Sequence, residues 1–355
     1  MVGSKTRAPR KKGRIASSTT APAPSPAPES PASASAHSPP SPRRQQALVN
    51  IFADAFAHVL SSDRLPTLLQ EIKQALYSRD FGRAFRNEEH LAAYAARWSP
   101  TRALCYASVL ARIETHLEQL ARREPCEPGA SPDPRPTLRM LSIGGCAAEH
   151  VAFASCLGHT RRSGTLRLLD AAPWEHVASA LQARLAADVA LVDPSRLAMT
   201  FVRADVLCLG PEALAQHVGS APSIVTLMFT LNELYAEGVI GKTTALLRHL
   251  GHVLPAGSLL LVVDSPGSYS EAALGRERKR RYPMQWLLNH TLLEAETPGY
   301  AWHRLESEDS TWFRLPEGLS YPIQLENMRY QMHLYRISKS QPVRSTSPSM
   351  GPGPE

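Results

Sequence analysis

Arg139-Met-Leu-Ser-Ile-Gly-Gly-Cys-Ala-Ala-Glu149, followed by Leu166-Arg-Leu-Leu-Asp170, decides the fold. The first stretch reads as a buried strand, a tight small-residue turn and the start of a helix. The second is another strand, ending in a carboxylate. Twenty-six residues separate Gly144 from Asp170, close to the roughly 20 expected when one helix joins two parallel strands. This is the front half of a nucleotide-binding α/β unit. Its turn brings backbone N–H groups near a ligand, and its carboxylate suits a pair of ribose hydroxyls.

Outward from this unit, apolar runs alternate with helical spacing. Strands are predicted at 138–143, 165–170, 198–203, 223–229 and 257–264. Helices are predicted at 148–158, 173–187, 211–218, 239–253 and about 270–290. Ser310-Thr-Trp-Phe-Arg314 and Asn327-Met-Arg-Tyr-Gln-Met-His-Leu-Tyr-Arg-Ile337 are strand-like with no helix between them, so they should pair antiparallel. A mostly parallel sheet closed by a C-terminal antiparallel hairpin is the α/β, Rossmann-like arrangement of class I methyltransferases that use S-adenosylmethionine (SAM). A dehydrogenase domain would continue with another parallel strand.

Residues 43–123 read as an all-helical N-terminal cap, joined to the SAM-binding domain 138–338 by a Pro-rich linker at 124–137. Helices are predicted at 45–60 and from Leu65 to Tyr77, where Pro66 fits the first turn. Shorter pieces are predicted from Phe81 to Trp98. A long helix should start at Ser99-Pro100, with Ser99 as N-cap, and run to about Arg123. Residues 1–42 and 339–355 are Pro/Ser-rich and should be disordered, having too little apolar surface to offset ordering entropy.

The net charge is +7, of which residues 1–42 carry +5 (six Lys/Arg against one Glu), leaving +2 for the rest. The tail is therefore a basic arm, read either as a nuclear or nucleolar address, with the cytoplasm as the alternative location, or as a solubilising segment. Five cysteines form no CxxC pair, which argues against a zinc site or disulfide frame. No run of 18 apolar residues appears, so no membrane span is expected. The chain is expected to be monomeric.

The candidate cofactor residues are Ser142, Gly144, Gly145, Cys146, Asp170, Asp205 and Thr230. Asp170 and Asp205 end the second and third strands, at the carboxyl edge where open α/β sheets bind ligands. Asp170 suits the ribose and Asp205 the adenine amine; helix capping and a surface turn are the competing structural roles. Thr230, Asn232 and Glu233 emerge from the apolar fourth strand at the same edge, and Asp264 ends the fifth. Glu149 opens a helix, where a carboxylate favours the positive end. Arg276-Glu-Arg-Lys-Arg-Arg-Tyr-Pro-Met-Gln-Trp286 interleaves cations with aromatics. Arg278, Lys279, Arg280, Arg281, Tyr282 and Trp286 thus form a candidate RNA contact, against the alternative of a solvated helix face.

The chain resembles the fungal 25S rRNA (uridine-N3)-methyltransferase family over about residues 45–337. The resemblance rests on Gln46-Ala-Leu-Val-Asn-Ile-Phe52, Ala95-Ala-Arg-Trp-Ser-Pro-Thr-Arg-Ala103, Leu141-Ser-Ile-Gly-Gly145, Phe229-Thr-Leu-Asn-Glu-Leu234, Val263-Asp-Ser-Pro-Gly-Ser268 and Tyr282-Pro-Met-Gln-Trp286. It implies methyl transfer from SAM to N3 of a uridine in large-subunit rRNA or a pre-ribosomal particle, with no metal. Asp264 or Glu233 would take the N3 proton, and Asn232 would hold a uracil carbonyl. The loop departs from the usual methyltransferase pattern. Ser142 precedes it, and Cys146 and Ala148 stand at later glycine places, narrowing the room for SAM. Another RNA base, a protein side chain, or a catalytically inactive assembly role are the competing readings.

Overall fold

The computed structural model describes residues 41–122, 135–145, 147–189, 191–235, 239–267, 269–272, 280–295 and 297–340. Six helices come first: α1 (Pro42–Ala55), α2 (Ala57–Leu60), α3 (Leu65–Tyr77), α4 (Phe81–Ala84), α5 (Glu88–Arg112) and α6 (Glu114–Ala121). Then β1 (Thr137–Ile143), α7 (Glu149–Gly158), β2 (Ser163–Asp170), α8 (Glu175–Ala187) and β3 (Leu197–Arg203) alternate. They are followed by α9 (Pro211–Val218), β4 (Ile224–Met228), α10 (Leu231–Leu234), α11 (Ile240–Val253) and β5 (Leu259–Asp264). A small hairpin, β6 (Tyr269–Ala272) with β7 (Arg280–Pro283), precedes α12 (Met284–Asn289), β8 (Tyr300–Phe313) and β9 (Met328–Lys339).

Strands β3-β2-β1-β4-β5 are parallel, and β9 then β8 continue the sheet antiparallel. The strand pattern expected from the sequence is present, closing hairpin included. Side chains alternate between faces, as the two-residue strand period requires. Leu259, Leu261 and Val263 face one core with Met332 and Leu334 of β9. Leu260 and Val262 face a second core with Tyr335, α9, α11 and α12. The first core also takes in α1, α3, α5, α7 and α8. The N-terminal helices therefore share one apolar core with a face of the sheet.

Two sequence expectations are corrected. The break at Ser99-Pro100 is absent: α5 runs unbroken from Glu88 to Arg112 with Pro100 inside it and Ser99 buried. Its N-cap is Asn87, whose side chain accepts from the His90 N–H at 2.9 Å. Proline in a helix interior leaves the carbonyl four residues earlier without its donor. Here that carbonyl is Ala96 O, and it accepts the Tyr321 hydroxyl at 2.7 Å. A tertiary bond from the β8–β9 connection thus replaces the missing helical one. Nearby, the Gln46 side chain exchanges two hydrogen bonds of 2.9 Å with the Ser320 backbone.

The second correction concerns about 270–290. Instead of one helix, the described residues there form β6, β7 and the six-residue α12, continued by a π-helical turn His290–Glu294. Arg280 to Pro283 are extended because they pair with Tyr269–Ala272. Arg278 and Lys279 lie outside the described residues, as does Cys146.

Candidate active site

Two glycines follow β1. Gly144 takes a positive φ of 72° and donates its N–H to Leu169 O at 2.8 Å. A β-carbon there would overlap the Thr230 side chain, and one on Gly145 would overlap the Glu149 carboxyl. The backbone at both glycines thus lies close against the protein's own side chains. Thr230 is buried, and its hydroxyl bonds to Gly144 O at 3.0 Å and Met228 O at 3.2 Å. It therefore ties the turn after β1 to the end of β4. Ser142 is buried on β1 beneath this turn, its hydroxyl without a hydrogen-bond partner among the described residues.

Above the turn is a cavity lined by Gly144, Gly145, Glu149, Asp170, Trp174 and Glu233, together with Tyr94, Ser99 and Arg102 from α5. Asp170 Oδ1 accepts the Ala172 N–H at 2.8 Å, while the N-cap of α8 is Trp174. Asp170 is thus no helix cap, and its carboxylate stays at the cavity. The Trp174 indole N–H lies near Asp170 yet completes no hydrogen bond. Asp205 is an exposed turn residue. It accepts from Leu207 N at 2.9 Å and from the Cys208 thiol at 3.1 Å.

Glu233 and Asp264 differ sharply. Asp264 is 1% exposed, and its two oxygens accept backbone N–H groups, Asn232 at 3.0 Å and Ser265 at 2.7 Å. It is an anchor for the four-residue α10. Glu233, on that helix, reaches the cavity. The Asn232 backbone is held at both ends, since its carbonyl accepts from Arg79 at 2.6 Å. Phe229, between β4 and α10, has a φ of 57°, a strained value for an aromatic residue of the kind that gathers at functional sites.

Arg102 is the cation here. It donates to the Tyr94 hydroxyl and lies 4.6 Å from the Phe229 ring centre and 5.2 Å from that of Tyr94. Neither Arg102 nor Tyr94 was singled out by the sequence reading. The available signal was cations inside the otherwise Ala- and Leu-rich helix 91–110, where a buried charge needs a purpose.

Burial dominates the acid–base behaviour. It pushes Glu149 up to about 7, and Asp170 and Asp264 up to about 6. Burial, then the charge of Asp170, pushes Glu233 up to about 8. Carboxyls with raised values bind protons more tightly folded than unfolded, so ionising them costs stability. Buried His150 and His333 are held down at about 3 and 4, so their opposite effect is complete above their ordinary 6.5. The window from pH 6.5 to about 8 belongs to Glu149 and Glu233. The ligand-free protein should therefore melt at a lower temperature at the upper end of this window. A melting temperature that holds or rises there would show that these carboxyls are already ionised.

The polar lining fits SAM: the Asp170 carboxylate for the ribose, the Trp174 indole N–H beside it, and the Glu149 carboxyl for the amino end. The cavity holds about 50 Å³, below the roughly 300 Å³ lower bound of ligand pockets, so lining side chains must move for the cofactor to enter. Of the RNA candidates, Tyr282 and Trp286 are stacked at 4.9 Å, and Trp286 stacks in turn on His290 at 4.9 Å. Trp286 is 37% exposed and so is not a core residue. Among the described residues no helix is long and apolar enough to cross a membrane, and no cluster of three metal-ligating side chains occurs.

The 25S rRNA (uridine(2843)-N(3))-methyltransferase of Saccharomyces cerevisiae is 28% identical over 324 residues, 82% of this chain and 85% of its own length. Among solved structures, the mitomycin 7-O-methyltransferase MmcR is 16% identical with a TM-score of 0.34, covering 80% of this chain and 71% of its own. The CurJ carbon methyltransferase is 12% identical with a TM-score of 0.35, covering 83% and 70%. A family model described as "Putative SAM-dependent methyltransferase" matches residues 52–336. That span is most of the chain, and the protein belongs to this family of SAM-dependent methyltransferases.

Proposed function

We propose that the chain methylates N3 of a uridine in large-subunit rRNA, with Glu233 as the proton acceptor. The observation that carries this is the placing of Glu233. It is the carboxyl at the end of β4 that reaches the cavity, while Asp264 is spent on two backbone N–H groups. The yeast relative's name supports the substrate. Bound SAM supplies an electrophilic methyl group on sulfur. Asp170 would accept its ribose hydroxyls, and Glu149 and Trp174 border the same space.

The target N3–H lies on the Watson–Crick edge, so the base must be unpaired or flipped out. Glu233 would take the imide proton on a carboxylate oxygen, freeing a nitrogen lone pair for the methyl group that SAM would supply as its S–CH3 bond breaks with the electron pair left on sulfur. A base held near 8 suits a weakly acidic imide, because proton transfer is most efficient when donor and acceptor are matched. The Tyr282–Trp286–His290 stack, in which Trp286 is exposed and its two neighbours half-buried, offers an aromatic surface to an RNA base.

Mass spectrometry of large-subunit rRNA nucleosides from cells lacking this chain tests the reading. One 3-methyluridine should disappear and return with the parental gene. Loss of a different methylated nucleoside, with 3-methyluridine intact, would redirect the assignment to another base; an unchanged nucleoside profile would overturn the RNA-methylating reading in favour of a protein substrate or an inactive assembly role.

A further inference from the structure

Helix α3 ends in a turn occupied by an unusual residue. Asp80 N–H bonds to Ala75 O at 2.9 Å and Arg79 N–H to Leu76 O at 3.0 Å. This is the two-bond helix end whose left-handed position is normally glycine, since a side chain there is strained. Here that position is Arg79, with a φ of 56°. The exposed turn would be relaxed by glycine or asparagine.

What arginine adds is reach. Its guanidinium donates to Asn232 O at 2.6 Å, across from the helical layer to the end of β4. The Asn232 N–H is already bonded to Asp264. So α10, only four residues long, is gripped from the β5 side by Asp264 and from the α3–α4 turn by Arg79. Glu233 is the next residue along. The charges acting on Glu233 come from Asp170 on β2, Arg102 on α5, Asp264 on β5 and Arg79 itself, and Tyr94 on α5 couples to it as well.

We propose that Arg79 is a positioning residue for methyl transfer, kept in a strained backbone conformation so that its guanidinium fixes α10 and aims Glu233 at the acceptor nitrogen. The proposal rests on the reading of Glu233 as proton acceptor. A purely structural arginine at this turn would be improved on by glycine. A positioning arginine would not.

The test is Arg79→Gly, with Arg79→Asn as a second variant tolerant of the left-handed region. The full-length proteins are assayed with SAM and large-subunit particles from cells lacking the chain. Melting temperatures at or above the parental one are expected, since the turn is relaxed. Affinity for SAM should hold, while kcat falls by roughly 10-fold or more, as misaligned reacting groups cause. The acid limb of the pH–rate profile should move to higher pH by roughly half a unit, because a cation near Glu233 is gone. Arg79→Lys, which keeps the charge and a donor, should recover part of the rate. Parental rate and pH profile in Arg79→Gly would overturn the proposal. So would a lower melting temperature combined with weakened SAM binding, which marks a structural role. Glu233→Gln, run alongside, separates the two readings. If it is impaired while Arg79→Gly is not, only the positioning role falls; if it transfers methyl at the parental rate, the proton-acceptor reading falls first.

Discussion

Glu233→Gln is expected to lower the methyl-transfer rate by about 10²–10⁴-fold, the usual contribution of a positioned general base. Glutamine keeps the shape of the side chain but cannot take the N3 proton. In the parental protein the base must be ionised, and its carboxyl is held up to about 8, so the rate should climb as pH rises through that value. In the variant this limb should vanish, leaving only the slope from ionisation of the imide itself. SAM affinity should stay near parental, since Asp170 and the glycine turn are untouched. Single-turnover rates across about pH 6–9 give both the magnitude and the limb. A variant with the parental profile would remove Glu233 from the chemistry. Asp264→Asn should behave differently: its carboxylate anchors α10 and the Ser265 N–H, so stability and rate would fall together.

Gly144→Ala is the second large effect. Alanine at φ 72° pays roughly 1–2 kcal/mol in backbone strain, and its β-carbon overlaps the Thr230 side chain. Thr230 has no easy escape, because its hydroxyl is bonded to Gly144 O and Met228 O and the residue is 3% exposed. Overpacking of this kind costs about 1–3 kcal/mol more. The melting temperature should fall, and calorimetric SAM binding should be lost, because the turn forms the cavity floor. Adding Thr230→Ala removes the overlapping side-chain atoms and should return part of the stability but not the strain. Parental SAM affinity in Gly144→Ala would show that the cofactor does not depend on this turn.

Much of this was legible before the structure. Strand and helix alternate in period from Leu138 onward, and an antiparallel hairpin was the only pairing left for 310–337. Asp170 and Glu233 stood out because charged residues at the ends of apolar strands arrive at one sheet edge. The difference in surroundings between Glu233 and Asp264 was not legible, since it turns on which carboxylate meets backbone N–H groups. Arg102 and Tyr94 were missed because a helix from another layer delivers them. Pro100 was misread as a helix start for a related reason. Proline usually ends a helix on local grounds, and the group that rescues this one, Tyr321, lies 225 residues beyond Ala96.

That last bond has a consequence for how the protein is made. A ribosome releases α5 long before Tyr321 exists, and domains assemble as chain becomes available. During that interval the Ala96 carbonyl has only water, and neither the Gln46–Ser320 clasp nor the β9 cover over β5 can form. The hydrogen bonding of α5 around Pro100 is thus completed only once the C-terminal segment is made, although its residues are made early. A chain truncated before Ser320 lacks the Tyr321 hydroxyl, the Gln46–Ser320 pair and the β9 edge.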